Sequence, residues 1–190
     1  MKILVFNILN KKEKIKLKKI IKKTGNRIII SNNIKNIKHI DKIIIYSTFN
    51  FKYIYYKIKN NLKLLKNINK PILAISNCLF LLCKNFYKYK CLNIFKNVLI
   101  FKFKHKNIGY KKIYHNKDNN ILKNIKHYNF YQYFNNNYYI PLGKYTIAHT
   151  NYNISYSAIL NKKNIYGIQF DLLKNNNEIG KLIIKNFIKN

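Results

Sequence analysis

The sequence predicts an α/β fold: a parallel sheet with flanking helices in the first half, and a β-rich second half. Three observations carry this expectation. Apolar runs of strand length alternate with amphipathic stretches between residues 2 and 75. These runs are continuous, as in strands covered on both faces. From residue 97 onward, short pieces rich in Ile and Tyr follow one another with brief connections.

Taken in order, Lys2 to Phe6 predicts a first strand. KKEKIKLKKIIKKTG follows, with Ile15, Leu17, Ile20 and Ile21 on a helical period and Gly25 as the stop. Arg27 to Ser31 and Asp41 to Ser47 predict the next two strands. Ile54, Ile58, Leu62 and Leu65 place an amphipathic helix over residues 52 to 66. Lys70-Pro71 opens a fourth strand, Ile72 to Ile75, which stops at Ser76-Asn77-Cys78 before a second apolar run at Leu79. A buried strand turning sharply into a helix has this appearance. Strand-like pieces follow at 97–103, 109–115, 128–134, 137–149, 154–160 and 164–170, and a helix over Glu178 to Ile188 closes the chain. No linker composition interrupts the pattern, so residues 1–190 are expected to form a single domain.

The composition bounds the function. The chain has 190 residues with 48% apolar content, enough for a packed core. Its 38 Lys+Arg against 5 Asp+Glu give a formal charge of +33. Only Arg27 is an arginine, and the lysines are spread through every segment. Lys, Asn, Ile, Tyr and Phe have A/T-rich codons, so an AT-rich genome accounts for the bias. A nucleic-acid binder favours clustered arginine instead. The charge therefore predicts adventitious, salt-sensitive contact with nucleic acid. No apolar stretch is long enough to span a bilayer. The first strand lacks a cleavage site, which points to the cytoplasm. Cys78, Cys83 and Cys91 form no C-x-x-C pair, and the histidines at 39, 105, 115, 127 and 149 are scattered. Neither a metal nor a cofactor is expected.

The segment KPILAISNCLFLL, residues 70–82, resembles the nucleophile elbow of class I glutamine amidotransferases, K-P-x-L-G-I-C-x-G-x-Q-L-L. Gly167 to Lys174, GIQFDLLK, is similar to the same family's G-x-Q-F-H-P-E-K. Ile108-Gly109-Tyr110 resembles the M-G-W of one branch, the glutaminase subunit of imidazole glycerol phosphate synthase. Residues 41–51, 133–139 and 180–187 resemble further segments of that branch, in the same order from Met1 to Asn190. The resemblance implies a flavodoxin-like sheet. It also implies glutamine as substrate, and a heterodimer with a cyclase subunit that uses the released ammonia in histidine biosynthesis.

The resemblance places Ser76 at the nucleophilic cysteine, Asp171 at the histidine and Leu173 at the glutamate. A serine hydroxyl needs a strong base where a thiol does not. Aspartate is a far weaker base than histidine, and leucine orients nothing by hydrogen bonding. Loss of one triad member costs roughly 10⁴-fold, so the glutaminase is expected to be impaired. The substrate and oxyanion positions fall on Ser47, Phe49, Asn77, Phe80, Asn136 and Asn137. Two glycines of the family's P-G-V-G are missing there, and Phe49 is expected to crowd the approach to substrate. Gly109 and Tyr110, with the loops at 46–51 and 134–139, are the expected docking region for the cyclase. Two other readings remain: an active glutaminase using Ser76 or Cys78, and a basic nucleic-acid-binding protein. A relative such as the anthranilate synthase glutaminase subunit is disfavoured, because its H-x-x-x-S and T-G segments are not visible.

Overall fold

The computed structural model describes residues 1–32, 34, 39–115, 119–126 and 129–190. His127 and the first residue of the strand expected at 128–134 lie outside them. The first half follows the expected alternation. Strand β1 (Lys2–Val5) leads to helix α1 (Lys11–Lys22), then β2 (Arg27–Ile30) and β3 (Lys42–Ser47). Helices α2 (Phe51–Ile58) and α3 (Leu62–Asn67) precede β4 (Ile72–Ser76). β1 lies between β2 and β3, and β3 pairs with β4, all in parallel. Every residue of β3 and β4 is buried, which explains the apolar runs Ile43 to Ile45 and Ile72 to Ile75 at their centres.

The helix starts carry their own signals. Asn10 caps α1, accepting from the Glu13 N–H while the Glu13 carboxylate accepts from the Asn10 N–H. Asn50 caps α2 through the Tyr53 N–H. The helix expected over 52–66 is broken by a 3₁₀ turn at Lys59–Asn61. There the Asn61 side chain donates to the Asn32 carbonyl, fixing the chain against the loop after β2.

The element after β4 differs from expectation. Instead of an α-helix, residues Asn77–Leu82 form a 3₁₀ run. The carbonyls of Leu81, Leu82 and Cys83, which an α-helix would use internally, accept from Leu92, Ile94, Phe95 and Asn93. The chain between them forms a small hairpin of β5 (Asn85–Phe86) and β6 (Tyr89–Lys90).

The second half is antiparallel. It comprises β7 (Phe101–His115), β8 (Asn129–Tyr139), β9 (Thr146–Tyr152), β10 (Ile154–Lys162) and β11 (Ile165–Ile168), before α4 (Glu178–Lys189). The two pieces expected at 97–103 and 109–115 are one long strand. Its pairing with β8 shifts between Lys102 and Asn107, and Gly109 takes φ +114° within it. β11 pairs in parallel with β4, and among the described residues all strands but the hairpin join one nine-stranded sheet, β2-β1-β3-β4-β11-β10-β9-β7-β8.

Apolar side chains pack on both faces of the sheet. Leu17, Ile20, Ile183, Ile184 and Phe187 of α1 and α4 cover one face. Ile54, Ile58 and Leu65 of α2 and α3 cover the other. The buried Lys42 ammonium donates to the Phe187 and Ile188 carbonyls at 2.9 Å each, capping the end of α4. Among the described residues, no helix is long and apolar enough to cross a membrane.

Candidate functional site

Ser76 ends β4 in a conformation that L-residues rarely adopt, φ 59° and ψ −135°. Its neighbour in the sheet is Ser47, at the end of β3. The strained turn is the geometry expected of an elbow that presents a side chain above a strand end. Ser76 is 8% exposed and lines a cavity of about 400 Å³. Its hydroxyl makes no hydrogen bond among the described residues.

The three residues expected at triad positions, Ser76, Asp171 and Leu173, all line this one cavity. Asp171 follows β11, held by its N–H on the Tyr133 carbonyl. One carboxylate oxygen, Oδ1, accepts from the Tyr46 hydroxyl at 2.7 Å and from the Leu173 N–H at 2.8 Å. Burial, reinforced by the negative Asp171 beside it, pushes the Tyr46 phenol far above its ordinary range. Tyr46 therefore stays protonated, as a donor. Leu173 is a core residue of the cluster under α1 and α4. Only its backbone reaches polar partners, its carbonyl accepting from Lys16 Nζ at 3.1 Å.

Glu13 enters the same cavity from the first turn of α1, buried, and accepts from the Thr48 hydroxyl and the Asn10 N–H. Burial raises its carboxyl above the ordinary range. The bonds from Thr48 and Asn10 oppose that shift, and the nearby Asp171 adds to it. Two of the five carboxylates of the chain thus share one cavity, with Lys12, Lys16 and Lys174 also in its lining. Sequence reasoning missed Glu13, and it placed Tyr46 and Thr48 only within the loop at 46–51, with no role of their own in the cavity. The Asn10-x-x-Glu13 spacing was the visible signal, but it announces a helix start and not a site.

The six expected substrate and oxyanion positions do not line the cavity. Ser47 is buried, donating to the Ile8 carbonyl at 2.8 Å and accepting from the Phe49 N–H. Phe49 does not crowd the cavity as expected. It is 39% exposed and packs on Tyr53 with ring centroids 4.8 Å apart, because the loop after β3 turns its side chain outward. Asn77 donates to the Phe49 carbonyl at 2.9 Å. Phe80 is buried among Phe51, Phe86 and Tyr138. Asn136 is buried and donates to the Gln169 carbonyl, while Asn137 is exposed.

Cys78 is fully buried in the apolar cluster below the elbow, and burial pushes its thiol well up. It packs; it is not presented. Gly109 and Tyr110 lie on β7, and Tyr110 is half exposed. The Tyr110 hydroxyl accepts from the Asn175 side chain, and Asn175 borders the cavity. Among the described residues, no group of three or more His, Cys, Asp or Glu side chains is placed to hold a metal ion.

No family model matches the chain. Among curated proteins, it is 34% identical over 142 residues to the imidazole glycerol phosphate synthase subunit HisH of Buchnera aphidicola subsp. Schizaphis graminum, covering 69% of this chain and 70% of that protein. It is 30% identical to the HisH subunit of Blochmanniella floridana over the full length of both. Among solved structures, a glutamine amidotransferase from Thermotoga maritima superposes with a TM-score of 0.74 at 8% identity, covering 100% of this chain and 96% of that one. A candidate GMP synthase chain from Thermoplasma acidophilum gives 0.76 at 20%, covering 100% and 92%. These two likenesses bear on the fold alone. They agree with a flavodoxin-like sheet of the class I amidotransferase kind.

Proposed function

Since the chain belongs to the HisH family, the glutamine amidotransferase subunits of imidazole glycerol phosphate synthase, we propose that it fills this role with its glutaminase impaired. In this reading it docks on the cyclase as a structural or allosteric cap, and the cyclase draws on free ammonia. One observation carries the reading. The group at the histidine position, Asp171, holds the Tyr46 hydroxyl and the Leu173 N–H, and the Ser76 hydroxyl has no hydrogen-bonded base among the described residues. Without a base, a serine hydroxyl is a poor nucleophile at neutral pH. Leu173, buried in the core, supplies no orienting carboxylate.

Docking is assigned to Gly109, Tyr110 and the loops at 46–51 and 134–139. The half-exposed Tyr110 beside the cavity supports that assignment. We also take residues 1–190 as one domain, since a single sheet draws strands from both halves. The purified pair, assayed with glutamine and with ammonium salts, tests the proposal. Turnover with ammonium only is expected. Glutamine-driven turnover abolished by Ser76→Ala would overturn it.

The strained elbow supports a second reading, in which Ser76 is an unorthodox nucleophile. A glutamine-analogue electrophile mapped by mass spectrometry separates the two. Covalent label on Ser76 favours the second reading, and its absence favours the first.

A further inference from the structure

The outward face of the strands β8, β7 and β9 carries aromatic rings in rows. Along β7, Phe103, Asn107, Ile113 and His115 point inward and are buried, leaving Ile108, Tyr110, Lys112 and Tyr114 on the other side. The register places Tyr110 opposite Tyr133 and Lys112 opposite Tyr131 on β8, and Tyr114 opposite His149 on β9. Tyr131 is 61% exposed, Tyr110 50% and Tyr114 40%. Tyr114 stacks on His149 with ring centroids 5.4 Å apart and planes 21° apart. Lys112 sits over the Tyr114 ring at 5.4 Å, and Lys174 over the Tyr133 ring at 4.7 Å. No Asp or Glu occurs in β7, β8, β9 or β10.

From this we propose a further function: the β8-β7-β9 face binds single-stranded RNA, its tyrosines stacking on bases and its lysines following the phosphates. Alternate residues on a strand are about 7 Å apart, so the exposed rings form a ladder and not one flat patch. Stacking platforms of this kind bind single strands with little sequence preference, because every base offers a π-face. AT-rich codon usage raises Lys and Tyr throughout the chain. It does not by itself align Tyr110, Tyr114 and Tyr131 on one sheet face; other exposed rings, such as Tyr53, Tyr56 and Tyr87, lie on α2 and in the hairpin. Exposed rings grouped on one face are a feature of interaction surfaces. The lysines beside these rings and the formal charge of +33 favour an anionic occupant and disfavour a second copy of this basic chain. The inference does not rest on the role proposed above.

Fluorescence anisotropy of the full chain tests it. The probes are a labelled single-stranded RNA of mixed sequence and a hairpin duplex with the same number of phosphates, each at two salt concentrations. The single strand is expected to bind more tightly than the duplex. Tyr114→Ala and Tyr131→Ala should each weaken single-strand binding about fivefold or more with the salt slope unchanged. Tyr53→Ala on α2 should leave it unchanged. Equal affinity for strand and duplex, or full single-strand affinity in both variants, would reduce the binding to diffuse charge and overturn the proposal. So would variants that keep RNA affinity and lose only the cyclase, since the face would then be a protein interface.

Discussion

The Tyr46 hydroxyl donates to Asp171 Oδ1 at 2.7 Å, tying the end of β3 to the segment after β11 across the cavity. Tyr46 is almost wholly buried, and the Leu173 N–H bonds the same oxygen. Phenylalanine fills the same space without the donor. A hydrogen bond to a charged group is worth about 1.5–3 kcal/mol. Tyr46→Phe is therefore expected to lower Tm by roughly 3–12 °C for a chain of this size, measured by calorimetry. An unchanged Tm would mean that Asp171 finds an equal partner.

Glu13 predicts a pH dependence. Its folded carboxyl is raised above the ordinary value, so in the window above about 4.5 the folded state binds more protons than the unfolded state. Stability contributed by this group is greatest at low pH and falls as pH rises through the window. In Glu13→Gln the ionisation is gone. Urea midpoints of wild type minus variant, taken from pH 4 to 7, should decline as pH rises. A flat difference would mean that the Thr48 and Asn10 bonds cancel the desolvation.

The strands of the first half were legible because a strand buried on both faces is apolar through its middle, as Ile43 to Ile45 of β3 and Ile72 to Ile75 of β4 are. The elbow was legible for a similar reason: Ser76 and Asn77 interrupt two apolar runs at one point. The second half was less legible. Gly109 reads as a strand boundary, yet it lies inside β7, where the register shift before Asn107 lets the strand continue. The cavity was half legible. Motif order pointed to Ser76, Asp171 and Leu173, but Glu13 meets Asp171 only because α1 packs beside the segment leading into α4. No local pattern encodes that approach.

The backbone strain at Ser76 has a measurable cost. A non-glycine residue at φ 59° and ψ −135° costs about 1–3 kcal/mol. Glycine relieves it while adding about 0.5–1 kcal/mol of unfolded-state freedom. Ser76→Gly is expected to raise Tm, and Ser76→Ala to leave it nearly unchanged, since alanine keeps the Cβ that causes the strain. Equal melting of the two variants would show that the elbow is relaxed.

The close approach of α4 to the Asp171 segment can be tested at Gly180. A Cβ there would lie 1.9 Å from the Leu172 carbonyl oxygen, a backbone atom that cannot swing aside. Gly180→Ala must push α4 away from residues 171–173, so it should destabilise the chain by more than about 2 kcal/mol. A variant as stable as wild type would mean that α4 shifts freely.

Restoring only the thiol separates presentation from chemistry. Cys78 and Cys83 are fully buried, and burial raises both thiols. Cys91 is partly exposed, but burial pushes its thiol up to about 12. All three should alkylate slowly at neutral pH, because the thiolate is the reactive form. In Ser76→Cys the new thiol faces the cavity, so iodoacetamide should add one label there within the time that leaves the native three unmodified. Mass spectrometry locates it. On the proposed assignment of Asp171 and Leu173 to the histidine and glutamate positions, the same variant should still release no ammonia from glutamine, since Asp171 is bonded to Tyr46 and Leu173 is buried. Rapid labelling without hydrolysis means a presented nucleophile with no base. Hydrolysis by Ser76→Cys alone would show that Asp171 or Glu13 can act as that base, and that only the serine stands between this site and a working glutaminase.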